Sequence, residues 1–271
     1  MLSHIEITKP AQLACTAHAL TTQTEEVMGL LVGLWVENAV LITHVFIVKR
    51  QNNTRQKDRV EIAPEELSRA TIYAEKLAKE EKRDFKVVGW FHSHPHISVL
   101  PSHVDARTQG EYQYYMDSRF VGIIVSAFDE NPNDVSGSIK MIAFQSERSS
   151  TQDAWKYKLM KIKLINTYTR SHIAFKDSLA TIVESLKKIA LEEKSLREEV
   201  LNEAKGQCLK QAFVDKVYQK CLILLIENGC LPLYTLLKDR KMSLDETKSR
   251  LKFLLESLKS RGKPEGNARH N

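Results

Sequence analysis

The sequence predicts an α/β core followed by a helical extension, and three observations support this fold class. Residues 1–150 alternate short apolar, β-branched runs with a long pattern of helical period. Beyond residue 150 strand signals become scarce and apolar residues recur at three- and four-residue steps. Residues 262–271 are polar and Gly-containing and predict a disordered tail. We therefore expect a core domain over 1–150 and a helical assembly region over 151–261.

The first half of the core contains an apolar segment, a strand and a helix in order. Val27–Val36 is apolar, and Val40–Lys49 is rich in β-branched residues and predicts a strand. Residues 50–59 are polar and irregular and predict an exposed loop. Pro64 stands where a helix should begin, and Glu65–Lys82 keeps its apolar residues on one face.

The second half of the core contains three further strand patterns. Phe85–Phe91 is a short apolar run, and Phe120–Phe128 is apolar enough for a fully buried strand. A turn over Asn131–Gly137 precedes another predicted strand at Ser138–Phe144.

The extension carries helical patterns with apolar stripes. One helix is predicted over Leu209–Glu227, ending at Asn228–Gly229, a pair typical of a C-cap. Ser243 and Glu246 form a capping-box pattern that predicts the start of the last helix. The longest stripe is heptad-like and predicts packing either on a partner helix, as in a coiled coil, or on the core of this chain. It comprises Leu179, Ile182, Leu186, Ile189, Leu196 and Val200.

Composition excludes several classes of protein. The 271 residues are 42% hydrophobic and 27% charged, which is ordinary for a soluble globular protein. The longest uninterrupted apolar run, Cys221–Ile226, is far shorter than the roughly 20 residues of a membrane helix, and no secretory signal pattern begins the chain. Four cysteines without a CxxC pair exclude a cysteine-built zinc finger and disfavour a disulfide scaffold. We expect a reducing compartment, the cytoplasm or the nucleus.

The net charge of +6 is unevenly distributed. Residues 1–150 carry 16 Lys and Arg against 19 Asp and Glu, whereas residues 151–271 carry 24 against 15. The basic residues of the second half are interleaved with acidic ones at helical spacing, which favours a solvated helical face. Direct binding of nucleic acid is therefore not expected, since no recognised motif or interleaved aromatic pattern accompanies the charge.

One segment, Val87–Asp105, contains a pattern of metal-ligating residues. His92 and His94 lie two residues apart on a predicted strand, so the two residues are about 6–7 Å apart and their side chains point the same way, which lets them converge on one metal ion. A loop bracketed by prolines returns the chain to Asp105, near the start of a predicted helix. Two imidazoles and one carboxylate leave the fourth position of a tetrahedral zinc open, which is typical of catalytic rather than structural zinc.

The same residues also have simpler explanations. Two histidines on a strand occur without any metal. Ser102 and Asp105 match a helix capping box, with Ser102 as the N-cap. His96 and His103 are either further ligands or ordinary loop residues. Spacing alone leaves both interpretations open.

The wider pattern resembles the JAMM motif, the signature of the MPN+ family of zinc metalloproteases. The string HSHP at 92–95 is followed after six residues by Ser102 and after two more by Asp105, which matches the motif at every defined position. That family adds an upstream glutamate in an E-[V/I]-[M/C]-G context. The string EVMG at 26–29 supplies it, and Glu25 beside it is the weaker candidate.

The resemblance implies a fold, a reaction and a role for each residue. The fold would be a mixed sheet flanked by helices, and the reaction the hydrolysis of isopeptide bonds to ubiquitin or a ubiquitin-like tag. His92, His94 and Asp105 would hold one zinc ion per chain. Glu26 would act as general base and then general acid, and the Ser102 hydroxyl would stabilise the oxyanion.

A closer resemblance concerns one branch of the family. The strings TEEVMGLLVG, GWFHSHPHISVLPSHVD and ARTQ are similar to the zinc deubiquitinases of the BRISC and BRCA-A complexes. This implies cleavage of lysine-63-linked polyubiquitin, with segment 50–59 at the place of an insert beside the active site. It also implies pairing of the C-terminal helices with an inactive MPN partner of the Abraxas type, in a dimer of heterodimers found in cytoplasm and nucleus.

The motif also allows comparison with other metalloenzyme families, which fit it less well, and with a non-catalytic role. Amidohydrolase barrels need further ligands on later strands, and the helical pattern after residue 150 leaves no room for them. A metallo-β-lactamase needs HxHxDH, but position 96 is His, and the absence of HExxH excludes zincins. The serious alternative is a catalytically silent MPN scaffold that organises a complex. Such scaffolds usually lose a ligand, whereas all five motif residues are present here.

Overall fold

The structure, a computed structural model, describes residues 2–48, 62–128, 139–148, 155–165, 175–203 and 206–261. It divides into two compact units, Met1–Cys230 and Leu231–Asn271. The predicted loop at 50–59, the turn at 131–137 and the tail at 262–271 lie outside the described residues. The division into 1–150, 151–261 and 262–271 stays a prediction.

The described part of the first unit is a β-barrel with helices packed around it. Its strands are β1 (His4–Thr8), β2 (Met28–Val36), β3 (Ala39–Ile47), β4 (Lys86–Pro95), β5 (Val121–Ala127), β6 (Lys140–Arg148) and β7 (Trp155–Ile165). Its helices are α1 (Lys9–Ala19), α2 (Pro64–Glu81), α3 (His103–Tyr115), α4 (Phe175–Glu203), α5 (Cys208–Leu225) and a π-helical turn (Ile226–Cys230). The second unit contains α6 (Leu231–Arg261).

The seven described strands close in the order β1-β3-β2-β4-β5-β6-β7, with β7 returning to β1. The pairs β1–β3, β1–β7 and β4–β5 are parallel and the others antiparallel. This confirms the mixed sheet flanked by helices. Strand β4 lies between β2 and β5, so the segment with the two motif histidines is hydrogen-bonded on both sides.

The strand and helix predictions of the core agree with the structure. Strands β3 and β5 are buried along their whole length, because apolar side chains on both of their faces are covered. Helix α2 begins at Pro64, whose fixed φ suits a first turn, and packs on the barrel through Ala70 and Ala74. The segments β1 and α1, for which the pattern gave no prediction, precede β2 and complete the core.

The expected shortage of strands after residue 150 is wrong for Trp155–Ile165, which forms β7. This segment contains four lysines, a residue depleted in strands, but the lysines alternate with apolar residues, which is the strand period. The prediction missed this signal. In the structure β7 pairs with β6 on one side and β1 on the other, which closes the barrel.

Two predicted helix boundaries in the extension are also wrong. Asn228–Gly229 does not end a helix: a π-helical turn follows α5, and α6 begins at Leu231. Gly229 lacks a positive φ and instead allows close packing, since a Cβ there would lie 2.7 Å from Leu186 Cδ2. Ser243 and Glu246 lie inside α6, whose first turn contains Pro232, a residue suited to a helix start.

The apolar stripe of α4 packs in part on the chain's own core. Leu186 and Ile189 are buried, and Ser185 Oγ donates to the carbonyl oxygen of Val45 on β3 at 3.4 Å. Further along, Leu196 and Val200 line a cavity of about 260 Å³ between α4, α5 and the loop before β2. Intramolecular packing thus accounts for the middle of the stripe.

The helical stretch Cys208–Ser257 is long and apolar enough to cross a membrane by length and composition alone. A single stretch of this kind is weak evidence, because helices of soluble proteins pass the same test.

A buried histidine makes the stability of the barrel depend on pH. His44 on β3 contacts the Thr43 hydroxyl at 2.7 Å through Nδ1, and its Nε2 lies 3.9 Å from Glu81 Oε1, beyond hydrogen-bond distance. Burial lowers the pKa of His44 from 6.5 to about 4. Between these values the unfolded chain binds a proton at this position and the folded chain does not. Stability therefore falls as the pH decreases through this window.

We predict that His44 removes roughly 3 kcal/mol from the free energy of unfolding between pH 7 and pH 4. Urea denaturation of the chain and of His44→Gln across this range measures the effect. The variant should be less pH-dependent than the parent. Parallel pH profiles for the two proteins would contradict the prediction.

Candidate metal centre

The end of β4 and the start of α3 bring three ligand groups together. His92 and His94 project from the same face of β4 and are buried, as the strand spacing predicted. Asp105, also buried, lies in the first turn of α3. His92 Nε2 is 3.0 Å from His94 Nε2 and 3.2 Å from Asp105 Oδ1, and His94 Nε2 is 3.6 Å from Asp105 Oδ2. The three predicted ligands therefore converge on one point.

A hydrogen bond to the main chain fixes the tautomer of His94. Its Nδ1 donates to the carbonyl oxygen of Ser98 at 2.6 Å, so in the neutral ring the lone pair of Nε2 faces the cluster. The loop that supplies this carbonyl is held in turn, because Ser126 Oγ donates to the carbonyl oxygen of Ile97 at 3.0 Å.

A second set of contacts holds His92 and α3 in place. The ring of His92 stacks on Trp90, with centroids 4.7 Å apart. Trp90 Nε1 donates to Gln109 Oε1 at 2.7 Å, and Gln109 Nε2 donates to the carbonyl oxygen of Phe120 at 2.7 Å. Gln109 lies one helical turn after Asp105, so these bonds connect the helix with the carboxylate to the strand with the imidazoles.

Helix α3 also contacts the last strand of the barrel closely. Trp155 of β7 lies against Gly110, where any Cβ would collide with its indole ring. A glycine one residue after Gln109 thus allows α3 to approach the sheet. This contact is one reason why β7 belongs to the same folded unit as the site.

The register between β2 and β4 places Glu26 beside the cluster. Met28 pairs with His92, and Val27 continues the pairing with Ser93. Glu26 is therefore the next residue along, on the side of His94, and its charge contributes to the electrostatics of His94. Glu25 instead lines the cavity against α4 and α5. The structure thus separates the two neighbouring glutamates and favours Glu26.

The cluster favours an ionised carboxylate. Burial alone would raise the pKa of Asp105, but hydrogen bonds to His92 and His94 outweigh it and hold this pKa far below its usual range. Burial alone would lower the pKa of His94. The pKa of His94 is nevertheless raised above its usual value, because His94 forms hydrogen bonds to Asp105 and to the Ser98 carbonyl. The charges of Asp105 and Glu26 act in the same direction. A negative charge is thus available to a cation at neutral pH.

Ser102 forms the predicted capping box. Its Oγ accepts from the Asp105 amide at 3.2 Å, and its own amide donates to Asp105 Oδ2 at 2.7 Å. The bond that Ser102 Oγ accepts occupies one lone pair of the hydroxyl, so the hydroxyl can still donate its proton to another acceptor. The capping role is therefore compatible with the predicted contact to an oxyanion.

The other candidate ligands do not join the cluster. His96 is exposed with a φ of 57°, and its ring stacks on Phe128 with centroids 5.6 Å apart. His103 is exposed at the first position of α3. Within the described ranges the grouping consists of His92, His94 and Asp105.

Two imidazole nitrogens and one carboxylate oxygen form a donor set that suits zinc with an open coordination position. The ligand atoms all lie within 4.8 Å of one another and are buried, and the His94 tautomer turns its free nitrogen inward. The residues present therefore fit a catalytic zinc ion.

Sequence reasoning missed the residues that support this cluster. Trp90 and Ser93 lie within the motif segment, and Gln109 follows it, but their partners come from α3, β2 and the start of β5. The signals in the sequence were the position of these residues next to the candidate ligands and their place in the strings GWFHSHPHISVLPSHVD and ARTQ. Their roles depend on pairings that no local pattern specifies.

Comparison with known proteins gives a family and several relatives. A family model described as JAB1/Mov34/MPN/PAD-1 ubiquitin protease matches residues 1–118. A protein of Xenopus tropicalis named Lys-63-specific deubiquitinase BRCC36 is 46% identical over 160 residues, which cover 59% of this chain and 60% of that protein. The Homo sapiens protein of the same name is 42% identical over 165 residues, covering 52% of each.

A third relative covers almost the whole chain. A Mus musculus protein named Lys-63-specific deubiquitinase BRCC36-like is 33% identical over 279 residues, which cover 92% of this chain and 94% of that protein. By contrast, the match to the Xenopus relative spans about 60% of its length.

We predict that Gln109→Ala weakens both the fold and the metal site. The change leaves the Trp90 indole N–H without its acceptor inside the protein, which costs about 1–3 kcal/mol in the free energy of unfolding. Loosening His92 against Asp105 should lower zinc affinity about 10-fold. Denaturant titration and competition with a zinc chelator measure the two effects. Glu111→Ala, an exposed change on the same helix, is the control and should alter neither quantity.

Proposed function

Since this chain belongs to the JAB1/Mov34/MPN/PAD-1 ubiquitin protease family, we propose that it is a zinc-dependent isopeptidase that hydrolyses lysine-63-linked polyubiquitin. The observation that carries this proposal is the buried convergence of His92, His94 and Asp105, with Glu26 next to them. The linkage is proposed from the names of the relatives, which are lysine-63-specific deubiquitinases.

The three ligands would hold one zinc ion through His92 Nε2, His94 Nε2 and a carboxylate oxygen of Asp105. Zinc in such a site acts as a Lewis acid and lowers the pKa of water to about 7. The protein contributes the geometry, because the Ser98 carbonyl orients His94 and the Trp90 ring supports His92. Burial also excludes bulk water, which strengthens electrostatic effects at the cluster.

Glu26 is the proposed proton-transfer residue. Its partly exposed side chain lies at the edge of the buried cluster, beside His94. The carboxylate would take a proton from the attacking water and then deliver it to the amine of the departing lysine. One residue thus serves first as base and then as acid.

Ser102 is the proposed oxyanion donor. Ser102 is an exposed residue at the N-terminus of α3, and its hydroxyl keeps a proton to donate while it caps the helix. As the isopeptide carbonyl carbon becomes tetrahedral, negative charge grows on its oxygen. A fixed donor at that point stabilises the transition state more than the ground state.

We also propose that the extension binds an inactive MPN partner of the Abraxas type, in a dimer of heterodimers. Helix α5 exposes Leu209, Phe213 and Val217, which are 88%, 67% and 46% accessible and spaced one turn apart. An apolar stripe of this kind supports helix–helix pairing. The four unbonded cysteines support the proposed location in cytoplasm and nucleus.

We predict chelator-sensitive cleavage confined to lysine-63-linked diubiquitin. The measurement is a panel of diubiquitin linkages with the full chain purified from its own cells together with its bound partners. Glu26→Gln should retain zinc and lower the cleavage rate about 10²–10⁴-fold, because the change removes the general base and leaves the three zinc ligands in place. Glu25→Gln, one residue away, is the matched control and should stay active.

Cleavage of other linkages alone would overturn the linkage proposal. Failure to cleave any linkage by protein that contains zinc would instead favour the catalytically silent scaffold.

We predict that Ser102 contributes to rate separately from its contribution to the helix cap. Ser102→Ala should lower the rate about 10²–10³-fold and cost about 1 kcal/mol in stability, since alanine is a poor N-cap. Ser102→Gly should lower the rate by the same factor but reduce the free energy of unfolding by only about a few tenths of a kcal/mol, because glycine is tolerated at an N-cap. Single-turnover cleavage and thermal denaturation separate the two effects. A rate that follows stability in both variants would assign Ser102 to capping alone.

A further inference from the structure

We propose that Ser93 is a positioning residue for Glu26, through a hydrogen bond that fixes the backbone between Glu26 and Val27. This inference rests on the proposed function, in which Glu26 transfers protons. Ser93 lies between the two proposed zinc ligands in sequence, but its side chain bonds to Val27, the residue just before β2.

The alternation of side chains along β4 separates Ser93 from its neighbours. His92 and His94 project from one face of the strand, so Ser93 projects from the other. It is completely buried, and its Oγ accepts a hydrogen bond from the Val27 amide at 2.9 Å. Its own amide donates to the Val27 carbonyl oxygen, also at 2.9 Å.

These two bonds occur where the ladder between β2 and β4 ends. From Leu31 opposite Gly89 to Met28 opposite His92 the two strands keep one register. At the next position the Val27 amide donates its hydrogen bond to a side-chain oxygen, Ser93 Oγ, instead of to a main-chain carbonyl oxygen. The Ser93 hydroxyl therefore extends the pairing by one step, to the residue that follows Glu26.

The bonded amide belongs to the peptide group that joins Glu26 to Val27. Holding this peptide plane fixes ψ of Glu26 and so the direction in which its chain leaves the sheet. Val27 is fully buried, so its amide has no solvent to replace a lost acceptor. An oxygen acceptor at position 93 is thus required for the observed placement of Glu26.

The far end of the same loop is held separately. Thr21 Oγ1 donates to the His18 carbonyl oxygen at 2.7 Å, and Cys221 Sγ donates to the Thr21 carbonyl oxygen at 3.0 Å. These contacts bind the start of the loop to α1 and α5. Ser93 acts at the end next to Glu26, where a displacement moves the carboxylate directly.

The test compares Ser93→Ala with Ser93→Thr in the full chain with its partners. Ser93→Ala should lower kcat about 10- to 100-fold, the cost of a catalytic group displaced by about 1 Å, with KM and zinc content unchanged. Ser93→Thr keeps the acceptor and should restore most of the rate. Ser185→Ala removes another buried serine hydroxyl, on α4, and should leave the rate unchanged.

A double variant shows whether Ser93 acts through Glu26. Adding Ser93→Ala to Glu26→Gln should cause no further loss, because the residue that Ser93 positions is already inactive. A further loss by the same factor as in the parent would overturn the proposal. So would a Ser93→Ala enzyme with full activity, or one that has lost zinc.

Amide hydrogen exchange tests the contact without any activity. In the zinc-loaded protein the Val27 amide should exchange at least about tenfold faster in Ser93→Ala than in the parent or in Ser93→Thr. Equal protection in all three would overturn the role of Ser93. If the parent cleaves no ubiquitin chain yet this exchange pattern is found, the proposed function fails and the structural contact stands.

Discussion

The register of β2 on β4 is the constraint on which the site depends. Because Met28 lies opposite His92, the residues before β2 must pass the end of β4 where both histidines project. A shift of one residue would turn both histidines to the opposite face and move Glu26 away from them. Strand β4 cannot shift alone, since it is bonded to β2 on one side and to β5 on the other.

Several polar side chains are buried around this register, and each must find a partner inside the protein. Gln109 satisfies the Trp90 indole and a carbonyl at the start of β5, while Ser93 satisfies the Val27 amide. A buried polar group without a partner costs about as much as the bond is worth, or more. The same bonds that avoid this cost therefore also restrict the ligands to one arrangement.

Two adjacent glutamates show how the barrel and the helices meet at one loop. The charge of Glu26 acts on His94 in the candidate metal cluster, whereas Glu25 lines the cavity against α4 and α5. The loop is also bonded to α5 through Cys221 and to β4 through Ser93. Part of the α4 stripe packs on the barrel, whereas Leu209, Phe213 and Val217 of α5 are exposed. The helices thus contact the same loop that contains Glu26, the proposed proton-transfer residue.

The sequence by itself identified His92, His94 and Asp105 as candidate metal ligands, through their match to a family motif, and predicted the strand and the helix that present them. Histidines two apart on a strand share a face, and a serine three residues before an aspartate caps a helix; both follow from local periodicity. It did not place β7 in the barrel, because the alternating pattern of Trp155–Ile165 does not specify the pairing with β6 and β1 that closes the sheet. It placed a helix end at Gly229, where the tertiary structure needs a small residue against Leu186. The roles of Gln109 and Ser93 likewise required the fold, since each depends on a partner brought near by strand pairing or helix docking.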